Sequence, residues 1–202
     1  KTLLEIGCGD GLLLNFFKKK GWKVFGTERK VSINKLKAKK LNISNKHLSK
    51  FPNKNFDLIM LNNSFEHLPD PHIIEKQFNK KLKKNGLLVI NIPSANSLQY
   101  KFGKGYWYHL DVPRHLQIFD DKYFSNFSKK NGFKIIRKKS LGFFWEIFGW
   151  FQTFLNKYLN NKNSFHKSLE SFKIYKWYFF LGLIQFFFLG IFAFILTLFS
   201  YS

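Results

Sequence analysis

Residues 3–11 read LLEIGCGDG: an apolar run carrying one acid, then glycines at positions 7, 9 and 11. Taken back to Thr2, TLLEIG is the pattern of a strand buried on both faces. Glycine lets backbone come close to a ligand, or adopt positive φ, without steric cost. Three of them straight after a buried strand mark a loop shaped around something bound. Asp10 stands where it can cap the next helix, about residues 11–20, which stops at a lysine run and Gly21.

Outward from this loop, strand and helix patterns alternate. WKVFGTE (22–28) predicts a second strand, about 31–40 a lysine-rich helix, and Leu41–Ser44 a short third strand. NFDLIMLNN (55–63) is the fourth strand. The helix that follows, about 71–84, ends at a Lys-Lys-Asn-Gly stop, and GLLVINIP (86–93) is the fifth strand. A helix near 121–131 and a sixth strand, FKIIRK (133–138), complete the series. Such alternation predicts an α/β fold, a doubly wound, mostly parallel sheet that binds ligands at the carboxyl ends of its strands.

The glycine spacing is G-x-G-x-G, a poor fit to the dinucleotide fingerprint G-x-G-x-x-G, and no GK[ST] follows to make a phosphate loop. An acid ends the second strand at Glu28, about twenty residues on, where it can take both hydroxyls of a ribose. With no pyrophosphate to hold, the glycines let backbone pass beside the sugar and the rest of a nucleoside-like ligand.

The net charge is +22, from 34 Lys and Arg against 12 Asp and Glu. That balance points to an anionic partner, nucleic acid or a membrane surface. Lys, Asn, Phe and Ile are abundant together, as an AT-rich genome produces, so part of the excess says nothing about partners. The one cysteine, Cys8, excludes an intrachain disulfide and fits a reducing compartment. Set in the glycine turn, it reads as a small packed residue. From Ser140 the character changes. LGFFWEIFGWFQTFL (141–155), with its one carboxylate Glu146, reads as an amphipathic segment in a membrane interface, joined to a basic linker that runs to 176. Residues 177–202 carry no charge. About 24 helical residues rise roughly 36 Å, enough to cross a hydrocarbon core. They are expected to form a helix that spans the membrane or lies deep in one leaflet. Lys162, Lys167, Lys173 and Lys176 precede it, which puts residues 1–140 on the cytoplasmic side.

On four motifs in order, residues 1–138 resemble the class I S-adenosylmethionine-dependent methyltransferases: LLEIGCGDG, FGTE, NKNFDLIMLNNSFEHLPDP (53–71) and LKKNGLLVINIPS (82–94). YWYHLDVPRHLQIF (106–119) resembles a subgroup associated with small-molecule, lipid-linked or surface-glycan methylation. The resemblance implies S-adenosyl-L-methionine as cofactor. It puts Glu5, Gly7, Cys8, Gly9 and Gly11 along the methionine and ribose side, Glu28 on the ribose, and Leu61 and Asn62 near the sulfonium. Asn45 falls where many relatives carry an aspartate for the adenine amine. Relatives that methylate quinone-type phenols hold a metal with an additional acid after strand four. Asn63 stands at that position, so no metal is expected, and Glu66 and His67 are expected to order the loop. Relatives also begin with helices over the cofactor and end with a seventh, antiparallel strand. The chain is therefore expected to be a fragment at both ends, truncated before the last strand.

Methyl transfer to a hydroxyl needs a base near neutrality, which histidine supplies. His109 and His115 bracket Asp111 and Arg114 in the loop after strand five. Two readings stand side by side: one histidine as base with Arg114 on an anionic group, or an Arg114–Asp111 ion pair with histidines that cap loops. Tyr106, Trp107 and Tyr108 either wall an acceptor pocket or pack in the core. The function expected is methyl transfer to a small-molecule, lipid-linked or glycan acceptor at the membrane. The alternatives are a nucleic-acid methyltransferase and a non-catalytic domain of the same fold. Nucleic acid is the disfavoured partner, because the segment after strand four reads NNSF without the prolines of amino-methylating enzymes.

Overall fold

The computed structural model describes residues 1–29, 40–139, 142–158, 163, 191, 194 and 197. The chain divides into two compact units, residues 1–93 with 122–135, and residues 94–121 with 136–202. Its described strands are β1 (Thr2–Ile6), β2 (Lys23–Thr27), β3 (Asn42–Ser44), β4 (Phe56–Asn62) and β5 (Leu82–Asn91). The described α-helices are α1 (Leu12–Lys19), α2 (Pro71–Lys81), α3 (Leu98–Gly103), α4 (Asp121–Asn131) and α5 (Phe143–Tyr158). The helix expected over 31–40 lies almost wholly outside the described residues.

In the first unit the five strands pair in the order β3-β2-β1-β4-β5, all in parallel. The order reverses at β1, so the loop leaving β1 sits at the switch point where open parallel sheets leave a crevice. Side chains alternate across the strands. Leu3, Val24 and Leu58 join Cys8, Leu14 and Leu41 in one buried cluster on the α1 side, with Phe17, Trp22 and Met60 packed against it. Leu4, Ile6, Ile59 and Leu61 point the other way and are also buried. Sequestering a Leu or Phe side chain contributes about 1.5–3 kcal/mol, so these two faces carry the sheet.

Helix α2 starts on Pro71, with the Asp70 carboxylate accepting the His72 N–H at 2.9 Å. It stops at Lys81 rather than near 84, because β5 begins at Leu82 and a register shift between Phe56 and Leu58 takes up the residues 83–86. Glu75 ties α2 to α4: its carboxylate accepts from the Tyr123 hydroxyl and pairs with His72 Nδ1 at 3.1 Å. Phe78 and Phe127 meet edge to face between the same helices.

The sixth strand expected at 133–138 is not formed. Gly132 takes a φ of +69°, and the Phe133 N–H bonds the Ser128 carbonyl at 2.8 Å, which closes the end of α4. The Phe133 ring stacks on Phe127 at 5.5 Å. Beyond it Ile135 and Ile136 are both exposed. Among the described residues no ladder partner meets them, and strand propensity alone does not make a strand.

In the second unit α5 packs against α3 and the residues just after it. Trp150 and Phe154 cluster with Phe102 and Ile147. The segment 141–155, expected to lie in a membrane interface, contributes the buried run 150–155 to this unit. Its polar residues have protein partners. Gln99 Nε2 donates to the Glu146 carboxylate at 2.6 Å and to its carbonyl at 2.9 Å. Thr153 accepts the Tyr108 N–H at 3.1 Å, and Asn156 donates to the Tyr106 carbonyl at 3.0 Å. Gly149 makes the approach possible: a Cβ there would meet Gln99 Oε1 at 2.6 Å and His109 Nε2 at 3.1 Å. Among the described residues no helix is long and apolar enough to cross a membrane. The helix expected over 177–202 falls outside the described residues apart from Ile191, Phe194 and Thr197.

Gly149→Ala is expected to overpack this contact and lower stability by about 1–3 kcal/mol. A fall in the urea midpoint, followed by tryptophan fluorescence, checks it; an unchanged midpoint contradicts the packing described.

Candidate functional site

The loop after β1 is pinned to the end of β2. The N–H groups of Gly7 and Cys8 both donate to the Thr27 carbonyl, at 2.9 and 3.0 Å. One residue further, the Gly9 N–H donates to Glu28 Oε2 at 3.0 Å, while Oε1 accepts the Arg29 N–H at 2.7 Å. Glu28 is therefore half-buried and turned toward the glycine loop. Gly7, Gly9 and Gly11 hold φ of +72°, +51° and +73°, the left-handed region.

Gly7 is required for a second reason. A Cβ there would lie 2.5 Å from the Ser64 Cβ. Ser64 reaches this point because its hydroxyl donates to the Ile6 carbonyl at 2.6 Å, tying the segment after β4 to the end of β1. The sequence reading missed Ser64, since only the strand order brings residues so far apart together. Gly11 takes the N-cap position of α1 expected for Asp10, while the Asp10 carboxylate accepts the Leu12 N–H at 3.2 Å.

Glu5 lies in the buried stretch of β1, one residue before its end, and is only 3 % exposed. Its Oε2 has no hydrogen-bond partner among the described residues. Burial, with the Asp10 charge second, pushes its carboxyl up to about 7. An uncompensated buried carboxylate is costly, and holding the proton relieves it, as a cationic group placed beside it would. A Cβ on Gly9 would meet nothing within 4 Å among the described residues. Burial pushes the Cys8 thiol up to about 12, with Glu5 and Glu28 adding to the rise. Cys8 packs in the α1 cluster and can line the loop by backbone alone.

Leu61 is 1 % exposed, so its side chain belongs to the core and it too can offer only backbone. Asn62 is exposed at the end of β4 and accepts from Asn91 Nδ2 at 2.7 Å. Asn63 holds a φ of +48°, and its N–H bonds the Asn91 carbonyl at 2.9 Å. Asn45 is exposed directly after β3. Burial raises the Glu66 carboxyl, against a backbone hydrogen bond and, less, the neighbouring His67. Glu5, the glycines, Glu28, Asn45 and Asn62 thus share the carboxyl edge of one sheet.

The histidines belong to the second unit. His115 Nδ1 pairs with the His109 carbonyl at 2.7 Å, and its Nε2 lies 3.9 Å from Asp111 Oδ2. The carbonyl fixes the proton on Nδ1 and leaves Nε2 as the basic nitrogen. Arg114 forms an ion pair with Asp111, at 2.8 Å from Nε and 2.5 Å from Nη2. The anion-binding reading of Arg114 therefore competes with a carboxylate already in place. Trp107 and Tyr108 are buried, with Trp107 Nε1 on Gln99 Oε1 at 3.3 Å, whereas Tyr106 is exposed. Of the three, only Tyr106 keeps an exposed ring for an acceptor.

The folded state holds the Glu5 proton that an unfolded chain releases near 4.5. Stability is therefore expected to fall as pH rises from about 4.5 to 7, by up to about 3 kcal/mol. Glu5→Gln should flatten that slope in urea unfolding at pH 5 and pH 7.5; parallel slopes for both chains would contradict the burial described.

Residues 1–138 match the family described as "Methyltransferase domain". Among curated proteins, the chain is 26% identical over 113 residues to a ubiquinone biosynthesis O-methyltransferase of Acinetobacter baumannii, covering 50% of this chain and 48% of that one. Against the enzyme of the same description from Pelagibacter ubique it is 32% identical over 108 residues, covering 50% and 45%. The chain thus spans about half the length of the curated relatives it matches. Among solved structures, a SAM-dependent methyltransferase from Archaeoglobus fulgidus superposes with a TM-score of 0.59 at 23% identity, over 70% of this chain and 65% of that one.

Proposed function

Because the chain belongs to the methyltransferase-domain family, we propose that it transfers a methyl group from S-adenosylmethionine to an oxygen of a small-molecule or lipid-linked acceptor. The observation that carries this reading is the Glu28 carboxylate turned onto the Gly9 N–H at the sheet's switch point. An acid so held is fixed for the two hydroxyls of a ribose. The buried Oε2 of Glu5, without a hydrogen-bond partner among the described residues, fits the ammonium of the donor's amino-acid part. Asn45 offers an amide oxygen to the adenine amine, and Asn62 stands on the sulfonium side.

When bound, S-adenosylmethionine supplies a methyl group on a positively charged sulfur, already activated for displacement. The chain's own residues then have three tasks: to hold the donor's sugar and amino-acid ends, to align an acceptor oxygen in line, and to keep water out. A hydroxyl acceptor must also lose its proton. His115 is the candidate base, since its Nδ1 is held by the His109 carbonyl and Nε2 carries the lone pair. His109 acts here as a positioning residue through its backbone. Arg114, paired with Asp111, steadies the same turn. The relatives named for ubiquinone biosynthesis favour an oxygen acceptor, and the uncharged run 177–202 favours work at a membrane surface on the cytoplasmic side.

Calorimetry with S-adenosylmethionine should give saturable binding, and Glu28→Ala should weaken it by about tenfold to a hundredfold, the loss of one or two charge-assisted hydrogen bonds. Labelled donor given to membranes holding the chain should pass its label to a quinone-type or lipid-linked fraction. Unaltered donor affinity in the Glu28 variant would overturn the reading.

A further inference from the structure

In the first unit every strand runs the same way, so all five amino ends share one rim, opposite the glycine loop. The crossover helices return there and end in lysine: Lys18 and Lys19 on α1, Lys80 and Lys81 on α2, Lys129 and Lys130 on α4. Asn79 Nδ2 donates to the Asn131 carbonyl at 3.1 Å, which sets the ends of α2 and α4 side by side. The strand starts add Lys1 and Lys23, and the β5 irregularity adds Lys83 and Lys84. All of these except Lys81 are exposed. Lys81 is buried and bonds the Ser49 and Phe51 carbonyls.

Acids are segregated to the other edge. Glu5, Asp10, Glu28, Glu66 and Asp70 all lie at or just past the carboxyl ends of strands. Among the described residues Asp57 is the carboxylate at the lysine rim, taken by Lys83 at 2.8 Å and by the Thr2 N–H at 2.6 Å. Lysines in last turns answer the helix dipoles. That accounts for one or two per helix, and not for a rim of like charges drawn from strands, helices and a bulge together. Such a surface repels itself until an anionic partner covers it.

We propose that this rim docks on an anionic lipid surface and holds the glycine-loop edge facing away from it. The charges are all lysine, compact point charges suited to a diffuse layer of headgroups rather than to bidentate recognition of phosphate or base. Aromatic rings lie among them. Phe16 is 52 % exposed with Lys20 Nζ 5.1 Å from its centre, and Lys1 Nζ stands 5.5 Å from the Trp22 ring. Ring faces covered by ammonium groups are poor platforms for stacking bases. They suit the headgroup layer, where aromatic and cationic groups sit together. The sheet between the edges is about 20 Å tall at roughly 3.3 Å per residue. The orientation therefore sets the glycine-loop edge about that far from the lipid surface. The rim stands independently of the methyl-transfer reading.

The test uses the full chain on vesicles of phosphatidylcholine with and without phosphatidylglycerol, read by sedimentation. Binding to the anionic vesicles is expected to exceed binding to the neutral ones and to weaken with salt. Lys19→Gln, Lys84→Gln, Lys129→Gln and Lys130→Gln together should cut it at least about a hundredfold, at about fivefold per lysine. The same four positions as arginine should retain it. The uncharged run 177–202 is common to all variants and produces no difference between them. Equal partition of wild type and the glutamine variant overturns the proposal. So does a glutamine variant that keeps its vesicle binding but loses salt-dependent binding to an RNA oligonucleotide, which makes the rim a nucleic-acid surface. Donor calorimetry on the same variants reports the methyl-transfer site separately, since none of the four lysines touches it.

Discussion

Everything at the carboxyl edge depends on one bond, the Gly9 N–H to the Glu28 carboxylate at 3.0 Å. It joins the loop that leaves β1 to the end of β2 and fixes the acid at the same time. Two N–H groups from Gly7 and Cys8 to the Thr27 carbonyl brace the same junction. Remove Glu28 and the loop loses its outer anchor; let it swing outward and the glycines lose the carboxylate that faces them. The strand order supplies the setting, because only at the reversal beside β1 do two loops part far enough to leave a crevice.

That junction was legible in the sequence because its parts are local patterns: glycines after an apolar run, and an acid after the next one. The parallel sheet was legible for the same reason, from strand and helix periods in alternation. What was not legible came from partners far along the chain. Ser64 meets Gly7 across the sheet and leaves no mark on its neighbours in sequence. FKIIRK has the composition of a strand, yet Phe133 is used to close α4 and the remainder has no ladder partner among the described residues. A strand needs a second strand, and a single sequence window cannot say whether one is waiting.

Helix α5 shows the same limit from the other side. Its aromatic composition reads as an interfacial segment and gives no sign that Glu146, Thr153 and Asn156 each meet a partner in residues 99–108. Polar groups that look out of place in an apolar helix are the ones that fix its seating, since each would be costly to bury alone. The two histidines, likewise, were found by chemistry, whereas the difference between them is a matter of geometry. His109 gives its carbonyl, and His115 receives from it a defined tautomer.

Cys8 carries a consequence of its own. It is the chain's only cysteine, 6 % exposed beneath the glycine loop, and its thiol is pushed up to about 12. Thiolate is the reactive form, so in the closed loop an alkylating reagent meets neither an accessible nor an ionised sulfur. Modification then proceeds only through molecules whose loop has come away from β2. The rate of that single labelling event becomes a clock for loop opening, written into the protein without any engineered probe.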